Sequence, residues 1–280
     1  MKLRTLKTAL RSLVVLVVAA VTLSVAATEE NKSNVPAESE PEQTVAVAAA
    51  ADLKFALDEI VTQFQQTHTH VKVQVTYGSS GNFYSQLSQR APFDIFFSAD
   101  ISYATRLIDA GIGIAASKFT YAVGRIVVWS PTNSPMDVTQ LGIESLRHPV
   151  VRKIAIANPS HAPYGKAAVA AMQKLGVYDS VKGRLVYGEN IAQTAQFIES
   201  GAADVGIIAL SLAIAPALKD KGRYWEIPLD AYPKMEQGGV ILSWAKQPRA
   251  AEDLRAFVLG ASGGTILRRY GFLMPSDSNK

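Results

Sequence analysis

Residues 45–81 read VAVAAAADLKFALDEIVTQFQQTHTHVKVQVTYGSSG, and their patterning decides the fold class. Residues 45–50 are a continuous apolar run of strand length. Leu53, Ala56, Leu57, Ile60 and Phe64 then recur at helical spacing, which predicts a helix over 53–65 with Asp52 at its N-cap position. Residues 71–77 alternate as a strand and run into Gly78-Ser79-Ser80-Gly81. A strand–helix–strand unit is too long for a hairpin, so its strands are expected to lie parallel in a sheet covered by helices.

Outward from this unit the texture continues. A helix is expected over 82–89, a strand over 93–98 (FDIFFS) and a helix over 101–110, stopped by Gly111. A second cycle begins at Ile126, with strands at 126–129, 153–157, 185–187 and 205–209. Its helices fall within 138–145, over 163–175 and over 191–200, with Pro163 opening one of them and Gly176 ending it. The tail returns to a strand at 240–244, a helix around 251–259 and a last helix ending at Tyr270. Two α/β units with a C-terminal return predict a two-lobed α/β fold: lobe one from 45–121 and 240–280, lobe two from 122–239. The hinge segments are expected near 121–125 and 232–239, and such a pair encloses its ligand in the cleft.

The N-terminus predicts export. Lys2, Arg4, Lys7 and Arg11 precede a fifteen-residue uncharged apolar stretch, 13–27, that ends in Val25-Ala26-Ala27. This is the pattern of a cleavable signal peptide over 1–27, and the stretch is shorter than the roughly 20 residues of a spanning helix. Residues 28–44 carry five Glu, two Pro and few large apolar side chains, the composition of a disordered leader. Loss of the four basic residues takes the formal charge from +4 to zero, so no nucleic-acid footprint remains. Cysteine is absent, so the exported fold relies on its core rather than on disulfides.

Four places carry the chemistry, each a strand end running into a helix start: 50–53, 78–81, 163–166 and 189–192. A helix start offers unpaired N–H groups and the positive end of a dipole. Several starts converging on one cleft hold an anion without a formal positive charge, and Ala, Ser and Gly at these positions allow close backbone approach.

The stretches AAAADL (48–53), YGSSG (77–81) and APFDIFFSAD (91–100) resemble the first lobe of the periplasmic molybdate-binding proteins of ABC transporters. NPSHAPYG (158–165), QKLG (173–176), GENI (188–191), GII (206–208) and RYGF (269–272) continue the likeness in the family's order. The resemblance implies a class II periplasmic-binding fold that holds molybdate or tungstate between its lobes through hydroxyls and backbone amides. The ligand-binding positions it implies are Asp52 and Ser80 from lobe one, with Tyr164 and Ile191 from lobe two through main-chain N–H. It further implies a periplasmic location, a permease partner in the inner membrane and a monomer, with no cofactor and no resident metal.

Two residues depart from the family's pattern. Asp52 stands where the family usually has Ser, and a carboxylate repels a dianion where a hydroxyl would donate. Three readings compete: Asp52 caps its own helix; it accepts a proton from a phosphate-like or vanadate ligand, so selecting another anion; or it is itself protonated in a dry site. A small carboxylate is a further ligand within the alternative reading. The second departure is Ala209, where the family supplies a tyrosine hydroxyl; Tyr164 and Tyr187 are the phenols available to replace it.

The remaining candidates point elsewhere. His68 and His70 lack a third ligand and read as a solvated pair. His161 lies in the anion loop, where it can orient the backbone. Ser79-Ser80-Gly81 lacks the nucleophile elbow, and Gly165-Lys166 lacks the spacing of a phosphate loop, with Lys166 expected to face solvent. An enzyme on this scaffold would need a nucleophile, base or metal in the cleft, and none is evident; the expectation is a binding protein.

Overall fold

The computed structural model describes residues 42–276. The expected signal peptide, and all of the expected leader before Glu42, lie outside the described residues. The chain runs β1 (Gln43–Ala50), α1 (Lys54–Thr67), β2 (Val71–Gly78), α2 (Ser80–Ser88), β3 (Ile95–Ser98), α3 (Ile101–Asp109) and β4 (Phe119–Gly124). It continues through β5 (Ile126–Pro131), α4 (Val138–Leu141), β6 (Ile154–Ala157), α5 (Pro163–Lys174), α6 (Tyr178–Val181) and β7 (Leu185–Gly188). Next come α7 (Ile191–Glu199), β8 (Val205–Ala209), α8 (Leu210–Ala213), β9 (Gly222–Glu226), β10 (Met235–Ile241), α9 (Pro248–Leu259) and α10 (Ala261–Arg269).

The strands form two five-stranded sheets, ordered β2-β1-β3-β10-β4 and β7-β6-β8-β5-β9, one to each lobe of an α/β fold. In the first, β1 runs parallel to β2 and β3, while β10 runs antiparallel to β3 and β4. The second repeats the plan: β6 is parallel to β7 and β8, and β5 is antiparallel to β8 and β9. The expected parallel units are present, and each sheet adds an antiparallel pair that the sequence reading did not anticipate.

Strand alternation divides the first lobe into two faces. Val45, Val47 and Ala49 pack with Leu57, Ile60 and Phe64 of α1, Leu254 of α9 and Leu267 of α10. Ala48, Phe96 and Val240 face the other way, onto Phe83 and Leu87 of α2 and Leu107 of α3. A third core, around Trp129, Ile154, Ile156, Ile207 and Met172, belongs to the second lobe and reaches Ala50, Ala51 and Ala99 of the first. Full burial of each such Leu, Ile or Phe contributes roughly 1.5–3 kcal/mol.

Register positions the site. Ala50 pairs with Gly78 at the ends of β1 and β2, and Ala157 pairs with Gly188 at the ends of β6 and β7. Parallel strands ending together send their helices off from one edge, the edge where open α/β sheets bind ligands.

Several expectations shift. β1 begins at Gln43, two residues before the expected start of the core at Val45. The strand expected at 240–244 begins at Met235, in a stretch (MEQGGVI) whose Glu, Gln and paired Gly hide it. β9 (GRYWE) is an edge strand with charged residues and no apolar run, and it too was unforeseen. The segments expected as hinges, 121–125 and 232–239, largely pair with each other: Met235, Glu236 and Gln237 lie opposite Gly124, Val123 and Ala122. The chain passes between the sheets at Arg125 and again between Glu226 and Met235. Arg125 is pinned there, its Nε donating to the Gly271 carbonyl and its Nη1 to Glu226, both at 2.9 Å.

Candidate functional site

Asp52, Ser80, Tyr164 and Ile191, the four residues singled out from the sequence, line a single cavity of about 10 Å³ between the lobes. That is about the room one water needs on this measure, roughly 10–15 Å³, so the lobes meet closely around the site. Its lining includes Ala50, Ala51, Gly78, Ser79 and Ala99 and holds no Lys or Arg. An anion there would be held by hydroxyls and N–H groups alone.

Local structure decides which donors remain. Ser80 opens α2, with Ser79 as N-cap accepting from the Asn82 N–H. The Ser80 hydroxyl is fully buried and accepts from the Ala99 N–H at 3.0 Å, which leaves its own proton for another acceptor. Pro163 opens α5 and has no N–H, so the first donor of that helix is Tyr164. Asn190 caps α7 by accepting from Ala192 and Gln193, both at 3.0 Å, and leaves the Ile191 N–H outside the cap. First-turn N–H groups have no partner inside their helix.

Asp52 does not cap its helix. It sits in a short 3-10 turn, Ala51–Leu53, with no side-chain cap, and α1 starts only at Lys54. The carboxyl turns instead inward, where Oδ2 accepts from the Tyr164 hydroxyl of the other lobe at 3.0 Å and from Nε2 of Gln237, on β10 of its own sheet, at 2.9 Å. Gln237 Nε2 also donates to the Tyr164 oxygen at 2.9 Å. Asp52 Oδ1 is buried and has no partner among the described residues. Burial pushes the carboxyl up to about 7, against the lowering effect of the bonds from Gln237, Tyr164 and its own backbone N–H. Burial, reinforced by the charge of Asp52, holds the Tyr164 and Tyr121 hydroxyls well above the ordinary phenol range.

This triad depends on residues that sequence reading missed. A register shift between Gln237 and Gly238 interrupts β10 and re-aims its side chains, and Gln237 is fully buried. Gly124, opposite on β4, leaves the space: a Cβ there would stand 2.5 Å from Gln237 Nε2 and 2.6 Å from the Tyr164 hydroxyl. Ser211 of α8 donates to the Asp52 carbonyl at 2.8 Å. The one available signal was a Gln inside a run that ends in apolar strand residues, where a buried amide requires a polar partner.

Ala209 is buried at the end of β8 and does not line the cavity. Tyr187 is about half exposed, whereas Tyr164 brings a buried hydroxyl beside Asp52. Contacts also close the cavity rim: the Gly81 N–H donates to the His161 carbonyl at 2.9 Å, and Ser79 Oγ lies 2.9 Å from His161 Nδ1. Asn82 donates to Glu189, whose carboxylate stands 3.7 Å from His161 Nε2. The His161 side chain thus bridges Ser79 and Glu189 across the rim. Lys166 is exposed, 5.8 Å from the Tyr103 ring centre. The His68 ring stacks on Phe64 at 4.1 Å, and no cluster of three potential metal ligands occurs among the described residues.

Residues 45–273 match the model of the bacterial extracellular solute-binding protein family. The chain is 37% identical over 228 residues to the molybdate-binding protein ModA of Azotobacter vinelandii, covering 81% of this chain and 89% of that one. It is 36% identical over 230 residues to ModA of Rhodobacter capsulatus, covering 82% and 88%. The solved periplasmic molybdate-binding protein of Azotobacter vinelandii superposes with a TM-score of 0.77 at 32% identity, covering 82% of this chain and 99% of that one. With its two-sheet architecture and interlobe cavity, the chain belongs to the bacterial extracellular solute-binding proteins.

Proposed function

We propose that this chain is the periplasmic receptor of an ABC importer, capturing molybdate or tungstate by closure of its lobes. The observation that carries the reading is the composition of the cavity: helix starts from both lobes, small residues, hydroxyls and no cationic side chain. A buried dianion needs its oxygens paired, and charge-assisted hydrogen bonds supply roughly 1.5–3 kcal/mol each. The Ser80 hydroxyl and the N–H groups of Tyr164 and Ile191 are the donors, with Asp52 completing the wall.

The lobes in this reading are the two sheets with their helices, so the expected bounds at 121/122 and 239/240 move to the crossings at Arg125 and at the return from β9 to β10. The relatives named for molybdate binding support the ligand, and the signal-like residues 1–27 support export to the periplasm. Delivery to a permease in the inner membrane, as a monomer, follows from the receptor role.

Isothermal titration of residues 28–280 with molybdate, tungstate, sulfate, phosphate and vanadate tests this reading. Tight binding of molybdate and tungstate with no response to sulfate is expected. Silence toward both, with phosphate or vanadate bound instead, overturns it.

A further inference from the structure

We propose that Asp52 is a proton-coupled donor: anion capture loads one proton onto its Oδ1, and the neutral carboxyl then hydrogen-bonds the bound oxyanion. The inference rests on the oxyanion-receptor reading above.

The geometry divides the two carboxyl oxygens. Oδ2 is saturated by Tyr164 and Gln237, both of which donate to it. Oδ1 lies in the same cavity-lining residue, fully buried, with no partner among the described residues. An ionised Oδ1 facing a dianion would leave two like charges without an intervening proton. Protonated at Oδ1, the same group presents an O–H to the anion and keeps both bonds at Oδ2. The proton comes from solvent, and no bond in the anion is made or broken.

The surroundings favour the neutral form. Facing Asp52 are Tyr164 of α5, Tyr121 of β4, Gln237 of β10 and Ser211 of α8, and none of these is a cation. The His161 imidazole bonds Ser79 of the cavity wall rather than Asp52, and Glu189 beyond it adds negative charge at the rim. Burial already lifts the carboxyl to about 7, and a bound dianion raises it further. Below that value the proton is present before binding. Above it, one proton enters with each anion, and affinity weakens by up to roughly tenfold per pH unit.

Asp52→Asn separates this role from simple packing. The amide can keep its oxygen toward Tyr164 and Gln237 and place a permanent N–H donor at the Oδ1 position.

The test is titration of the full mature chain with molybdate across pH 6–9, in buffers of different ionisation enthalpy. The expected result is uptake of about one proton per anion above neutrality and a dissociation constant that rises with pH. Asp52→Asn is expected to match the acid-side affinity of the unaltered protein, with no uptake and a flat profile. Tight molybdate binding with no proton uptake and a flat profile in the unaltered protein overturns the inference. So does uptake that survives in Asp52→Asn but disappears in His161→Asn. Absence of molybdate and tungstate binding at every pH is a different failure, that of the receptor reading itself.

Discussion

The Tyr164 hydroxyl and Asp52 Oδ2 lie 3.0 Å apart, although 112 residues separate them and they stand on opposite lobes. Tyr164 is at the start of α5 and Asp52 in the turn that follows β1, so the contact ties one lobe to the other. The cavity wall and the closure contact therefore share one polar group.

Removing that hydroxyl tests the coupling. Tyr164→Phe leaves Asp52 Oδ2 with Gln237 as its side-chain donor and takes away a bond that lowers the carboxyl's pKa. The proton-linked step in molybdate affinity should move to higher pH. Loss of the buried bond should cost about 1–3 kcal/mol of stability. Titration across pH, with thermal melting, reads both.

Asp52 itself is expected to burden the closed, ligand-free fold at neutral and alkaline pH. Its carboxyl is raised from 3.8 to about 7, so the folded state holds the proton more tightly than the unfolded chain does. The stability contribution is complete below the unfolded value and is lost as pH climbs through the folded one. Asp52→Asn should therefore melt higher than the unaltered protein at about pH 8, by on the order of a few kcal/mol, with the gap closing toward about pH 4.

Gly81→Ala addresses closure without touching a donor side chain. A Cβ at Gly81 would stand 2.5 Å from the His161 carbonyl oxygen and 2.9 Å from its Cα, across the cleft. The lobes could not approach to form the Gly81–His161 bond. Overpacking of this kind costs about 1–3 kcal/mol, so molybdate affinity should fall roughly 5- to 150-fold. An affinity unchanged from the parent protein would show that the lobes close on the anion without the Gly81–His161 contact.

Ser80→Ala removes a buried hydroxyl that accepts from the Ala99 N–H. Molybdate affinity should drop about 10- to 100-fold through the missing charge-assisted bond. Stability should fall by about 1–3 kcal/mol because the Ala99 N–H is left unpaired. An affinity unchanged from the parent protein would remove Ser80 from the set of anion donors.

What the sequence determined by itself is local. Apolar periodicity placed β1, α1, β2 and the matching elements of the second lobe, because a buried face imposes its repeat on the chain. The helix starts at Ser80, Tyr164 and Ile191 were legible for the same reason: a strand end, a small or capping residue and an amphipathic run follow one another in sequence. The role of Asp52 was not legible. A local reading makes it a cap, and only distant residues, Tyr164 of the other lobe and Gln237 of β10 in its own sheet, supply the donors that turn its carboxyl away from its own helix. Gln237 was hidden because β10 draws its stability from pairing between β3 and β4 rather than from an apolar pattern of its own. Long-range pairing and burial decide a carboxyl's partners and its proton, and neither is a property of the residues beside it in the chain.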